Sequence, residues 1–345
     1  IKILNVVLTI AFNLFFFLLC PWLKTKFPDT FSWFDINKGV DYILFSNLAA
    51  SIIQFFMLTP ELKVKYVFNK ELLGRMLRYS FPLLILGVAG ISNQIADKII
   101  FPWIYPDKDN AYTELGIYGQ NFKIAIIMVM FTQAFRYAFE PFIFARNREA
   151  ADDRKSFSDA TKYFIIFGLL IFLMTAGFID IIKYLLPQEY HIGLKVVPIV
   201  LLGELFFGVY FNLSLWYKLT DQTKWGAYMS IIGFAITILI NIIFIPYFSY
   251  MACAWAAFFA NFVMMMFSYF LGQKNYPINY DLKSVGFYFV ISMLLFAGIM
   301  LAFRNIDNMW LRLVINTVLI GIYVIIVLKK DLPLQQIPIV GKFFK

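Results

Sequence analysis

Gln133, Arg136 and Glu140 stand in the fourth of a series of apolar stretches, at a spacing that sets them within about 60° of one another on one face of a helix. Arg136 and Glu140 are spaced to pair as i, i+4. An arginine fork beside an amide also offers donors matched to phosphate oxygens. A charge at mid-bilayer costs on the order of 2.5 to 3.5 kcal/mol on insertion scales, so such a residue needs a water-filled cavity, a partner or a route to the interface. The stripe therefore reads in three ways: the wall of an anion-handling cavity, a pair that joins helices, or a pair at the inner interface snorkelling to water.

Other polar residues interrupt the apolar stretches. Lys123 lies on a different face of the fourth stretch, nearer its outer end, where a cavity role competes with snorkelling. The third stretch carries Asn93, Gln94 and Asp97, with Asn93 and Asp97 one turn apart and Lys98 adjacent. Asp97 and Asn93 are candidates for holding a coupling ion or proton, against a plain pairing of Asp97 with a nearby Lys. Glu204 in the sixth stretch carries the same alternatives, and Asp180 and Lys183 read as interfacial. Pro82, Gly87 and Gly90 offer a hinge in the third stretch, or close packing in the case of the glycines.

Catalytic parts are few. The chain has one histidine, His191, read as lying in a short outer loop, so a Ser/His/Asp hydrolase and a His-ligated metal centre lack members. No GxxxxGK[ST] sequence occurs. The expectation is a transporter or binding protein rather than an enzyme, with no metal and no cofactor.

The elements that must carry these residues are legible in the composition. The 345 residues are 61% hydrophobic and 15% charged, with 41 Phe and 20 Tyr and a mean hydropathy of +0.74, where soluble domains carry about 25% charge. Ten stretches approach the roughly 20 apolar residues that cross a bilayer: 3–20, 42–58, 81–104, 116–144, 163–186, 196–217, 225–245, 251–271, 285–303 and 310–328. Lipid forces the backbone to satisfy its own hydrogen bonds, so spans of this length are helices and the fold class is an all-α polytopic membrane protein. Cys20 and Cys253 lie inside apolar stretches and read as small buried residues.

If the chain starts in the cytoplasm, 19 of the Lys and Arg fall on the inner side and 9 on the outer, which places both ends in the cytoplasm. Topology and contact with anionic membrane lipids then account for much of the net charge of +9, and no nucleic acid is needed to explain it. The basic connection 63–78 has apolar residues near helical spacing and predicts an amphipathic helix on the inner surface. The chain opens at Ile1 and Lys2, directly ahead of an apolar stretch, and reads as a fragment.

From the third stretch onward the order of local patterns resembles the Wzx-type polysaccharide flippases of the MOP exporter superfamily. The residues are Glu114-Leu-Gly-Ile-Tyr118, through Lys123 to Gln133-Ala-Phe-Arg-Tyr-Ala-Phe-Glu-Pro-Phe142, then Tyr190-His-Ile-Gly193 and Val197-Pro198. Asn212-Leu-Ser-Leu-Trp-Tyr-Lys-Leu-Thr-Asp-Gln-Thr-Lys224 and Asn241-Ile-Ile-Phe-Ile-Pro246 follow. The resemblance implies two six-helix lobes around a central cavity, working by alternating access in the bacterial cytoplasmic membrane. On that template 1–60 is the end of an N-terminal lobe, 61–80 a linker, 81–272 a complete MATE-like C-terminal lobe, 273–328 an extra helix pair and 329–345 a cytoplasmic tail.

The resemblance also implies the cargo, an isoprenoid diphosphate carrying a glycan, with glycan assembly proteins as possible partners. Arg136 is then the first candidate for its diphosphate and Lys123 the second, with Gln133 as a hydrogen-bonding neighbour and Glu140 as the orienting partner. A multidrug or cation antiporter of the same superfamily is the alternative within transport, and it would need an acidic cavity. A membrane-embedded glycan polymerase or ligase is the alternative outside it, and a nonfunctional remnant is the third.

Overall fold

A computed structural model describes residues 2–35, 38–59, 68–148, 154–220, 222 and 224–332, with the backbone alone at 79, 82, 83, 85–94, 142–148 and 218. Among the described residues every regular element is helical. Nine helices among the described residues are long and apolar enough to cross a membrane, so the chain is an all-α polytopic membrane protein. The third expected span falls in a further helix, α4 (Lys70–Ile104), much of whose side-chain surroundings lie outside the described residues. Two compact units divide the chain, 1–77 and 78–345.

The first unit holds α1 (Lys2–Leu14), which runs through a π turn at Phe15–Leu19 into α2 (Cys20–Lys26), and α3 (Gly39–Leu58). Tyr42 organises its small core: the ring stacks on Phe16 and on Phe34 with centroids 5.0 Å away in each case, and its hydroxyl accepts from the Asp35 amide at 2.9 Å. Cys20 is buried beside Phe16 and Phe34. Residues 60–67 of the expected amphipathic connection lie outside the described residues, and Lys70 onward is helical and continuous with α4.

In the second unit α5 (Ala111–Arg148) and α6 (Arg154–Gly177) are followed by α7 (Ile179–Ile182) and 3-10 turns at Lys183–Leu185 and Gln188–Val196. Next come α8 (Val197–Leu213), α9 (Leu215–Leu219), α10 (Lys224–Phe248), α11 (Tyr250–Asn275), α12 (Leu282–Asn305) and α13 (Met309–Lys330). α8 is the centre, packed on α5, α6 and α11. Without a hydrophobic driving force between helices in lipid, close approach must come from small residues. α11 supplies Ala252, Ala256 and Ala260 on its buried face, and a Cβ at Gly203 of α8 would sit 3.2 Å from the Phe258 Cα of α11. α10 and α11 are joined by Ser249 alone, whose φ of 49° lies where glycine is favoured; its hydroxyl donates to Glu114 of α5 at 2.5 Å.

The expected fifth span, 163–186, is corrected. α6 ends at Gly177, whose carbonyl accepts from the Asn316 amide of α13 at 2.8 Å and where a Cβ would stand 2.9 Å from the Ile320 Cδ1. The segment after it is an ordered run of short helical turns rather than a span end and a loop. Asn121 of α5 donates to the Tyr190 carbonyl at 2.8 Å, and the His191 Nε2 lies 2.9 Å from the Lys183 carbonyl.

The last two helices are fastened to α6 along its length. Where α6 begins, Lys162 pairs with Asp331 at 2.8 Å and Tyr288 donates to the same carboxylate. Burial works to raise the Asp331 carboxyl, and these hydrogen bonds overcome it, holding the group below the usual carboxylate range. Midway, the Tyr323 hydroxyl donates to the Ile166 carbonyl at 2.9 Å. Where α6 ends, the buried Asp180 carboxylate takes Lys183 on one oxygen and Arg312 on the other, each at 2.9 Å. Asp180 and Lys183, expected at an interface, are thus joined to a third charge from α13, with Asp180 only 3% exposed.

Candidate functional site

α5 carries the wall of a cavity of about 270 Å³. From Tyr118 through Phe122, Ile126, Val129, Thr132 and Gln133 to Arg136, one stripe at helical spacing faces it. At 1.5 Å per residue that stripe is about 27 Å long, close to the ~30 Å of a hydrocarbon core. α4 contributes Asp97 and Lys98, α8 Glu204, Phe207 and Phe211, α10 Thr237, and α11 Ala257 and Asn261. The cavity is narrow, with aromatic and aliphatic walls and polar groups at both ends.

At one end the Arg136 Nε lies 3.3 Å from Glu140, the i, i+4 pair expected from the spacing. The guanidinium also stands over the Phe211 ring of α8 at 5.0 Å, so one face is held by π density while the fork stays half-exposed. Gln133 lies beside it, exposed, one turn back on α5.

At the other end Asp97 is 5% exposed and accepts from the Lys98 amide at 2.8 Å. The Lys98 ammonium stands 4.3 Å over the Phe122 ring, near enough to feel both Asp97 and Glu204. Tyr118 is fully buried with its hydroxyl toward the Asp97 carboxylate, and neither that hydroxyl nor the buried Thr132 hydroxyl makes a hydrogen bond of ordinary length. The Asn261 amide, also in the lining, donates to the Gly203 carbonyl at 3.1 Å. Among the described residues the lining therefore holds two bases at opposite ends and two acids together, a polarised wall rather than a uniformly cationic one.

The structure brings together Arg136, Gln133, Asp97 and Glu204, drawn from three helices. Lys123 is set apart: it is exposed, off the cavity wall, and donates to Gln120 at 2.9 Å. Glu140 meets the cavity only through Arg136. The surroundings of Asn93, Pro82, Gly87 and Gly90 lie outside the described residues. Sequence reasoning did not select Lys98, Tyr118, Thr132, Thr237 or Asn261. Lys98 was visible as a charge but was read only as a partner for Asp97, and the hydroxyls and amide carry no signal until the helices are packed.

These features define the class: a multi-pass helical membrane protein with a cavity among its helices that carries ionisable side chains. Compared with known protein families, curated sequences and solved structures, the chain matches none.

Proposed function

We propose that this chain belongs to a transporter that flips lipid-linked oligosaccharide or polysaccharide precursors across the bacterial cytoplasmic membrane by alternating access, with both chain ends in the cytoplasm. Arg136 carries the reading: an arginine with its fork half-exposed in a membrane-depth cavity, braced by Glu140 and Phe211, suits a diphosphate. Gln133 adds a neutral donor. The sequence patterns that resemble polysaccharide flippases supply the cargo class, an isoprenoid diphosphate bearing a glycan, and imply glycan assembly proteins as partners. Asp97 and Glu204 serve as the ion- or proton-coupling pair, away from the diphosphate end. The chain works as a transporter and not as an enzyme, without metal or cofactor.

One observation favours the antiporter reading instead: Asp97 and Glu204 share the cavity with Arg136, and acids suit a cationic drug. The double change Asp97→Asn with Glu204→Gln separates the two. Under the flippase reading, purified variant chain retains affinity for a polyprenyl diphosphate glycan within about threefold, and binding of lipophilic cations is weak before and after. Tight cation binding that the double change abolishes would favour the antiporter.

A further inference from the structure

A second cavity, of about 260 Å³, opens among α6, α8, α11 and α12, apart from the polar one. Its floor is the buried Ile165, Val209, Leu213 and Met265, and its mouth carries the exposed Phe270 and Leu282. Phe270 and Leu282 stand toward the ends of the helices where α6 and α12 begin and α8 and α11 finish, and Ile165 and Met265 stand near mid-helix, so the crevice runs from one end of these helices to about their middle, the depth of one leaflet. At 260 Å³ it falls below the ~300–1,000 Å³ of sites that enclose a whole small molecule, and its walls are almost wholly apolar. It is sized for part of a hydrocarbon chain whose polar end stays outside.

The polar end is specified by charge. Two ionic side chains line the crevice, Lys162 of α6 and Asp281 at the start of α12, one of each sign. Asp281 is exposed and already caps α12 by accepting from the Ser284 amide at 3.1 Å, so it is fixed in place. Lys162 is steadied by Asp331. Beside its bond to Asp331 the Lys162 ammonium keeps further N–H donors, so a zwitterionic headgroup suits the pair, its phosphate accepting from Lys162 and its ammonium donating to Asp281. A primary ammonium is favoured over a quaternary one because it donates hydrogen bonds to a carboxylate. Met265 and Met266 let the walls adapt to a flexible chain.

We propose that this crevice is a binding site for phosphatidylethanolamine, seating one acyl chain against Leu213 and Met265 and its headgroup between Lys162 and Asp281. The site is independent of the polar cavity and of its cargo.

The test is native mass spectrometry of the purified chain reloaded from micelles containing equal dioleoyl phosphatidylethanolamine, phosphatidylglycerol and phosphatidylcholine. One phosphatidylethanolamine should be retained at least fivefold over either competitor. Asp281→Asn, which keeps the helix cap, should reduce that preference to within twofold. Leu213→Trp, which fills the floor, should abolish retention, with Met265→Phe as a second filling variant if the first does not fold. Equal retention of the three lipids by the unaltered chain, or undiminished phosphatidylethanolamine in a folded filling variant, would overturn the proposal.

Discussion

Asp180→Ala should destabilise the second unit by about 3 to 5 kcal/mol, the usual cost of removing one partner from a buried ionic group. Asp180 is 3% exposed and is met on both oxygens by Lys183 and Arg312. Its loss leaves the Arg312 guanidinium, whose side chain is 15% exposed, without its carboxylate in a low-dielectric setting. α13 loses its ionic tie to the segment following α6. Asp180→Leu with Arg312→Leu should recover most of the loss, because both charges then leave together and Lys183, the more exposed partner, can turn to water. Unfolding in mixed detergent micelles, monitored by far-ultraviolet circular dichroism, measures both. An Asp180→Ala chain within 1 kcal/mol of the parent would mean that the cluster is solvated.

Arg136→Ala should weaken binding of a polyprenyl diphosphate glycan roughly 10- to 100-fold, since charge-assisted hydrogen bonds contribute about 1.5 to 3 kcal/mol. Arg136→Lys should recover only part of this, because a point charge replaces the planar fork and stacks less well on Phe211. If Arg136 served only its bond to Glu140, changing both to Leu would restore what Arg136→Leu alone impairs. Fluorescence titration of the four variants distinguishes these outcomes. Full binding by the double variant would assign the pair to helix stability.

The helices were legible because hydrocarbon imposes one rule on every span, and ten apolar stretches leave few alternatives. The Arg136 and Glu140 pair was legible for the same reason, as i, i+4 geometry is local. What sequence could not give is which face meets which neighbour. Asp180 looked interfacial because its partner Arg312 lies far along the chain, and the contacts that receive the end of α6 at Gly177 come from Asn316 and Ile320 of α13. Lys123 and Arg136 were both charges in one helix. Helical phase sets them on different faces, and the packing of α4, α8 and α11 around α5 decides that the face of Arg136 lines the cavity and that of Lys123 does not. Asn261 and Thr237 were invisible because a single hydroxyl or amide in an apolar run is usual in membrane helices.

On the proposed function, the cavity ending at Arg136 receives the diphosphate of a lipid-linked glycan whose remaining parts lie outside it. The most direct test of this is a titration of the purified chain with a short polyprenyl diphosphate glycan and, in parallel, with the same polyprenyl alcohol carrying neither phosphate nor sugar. Saturable binding of the diphosphate at least tenfold tighter than the alcohol is expected, with the difference collapsing in Arg136→Ala. Equal affinity for the two ligands, or a preference for the diphosphate that survives Arg136→Ala in full, would contradict it.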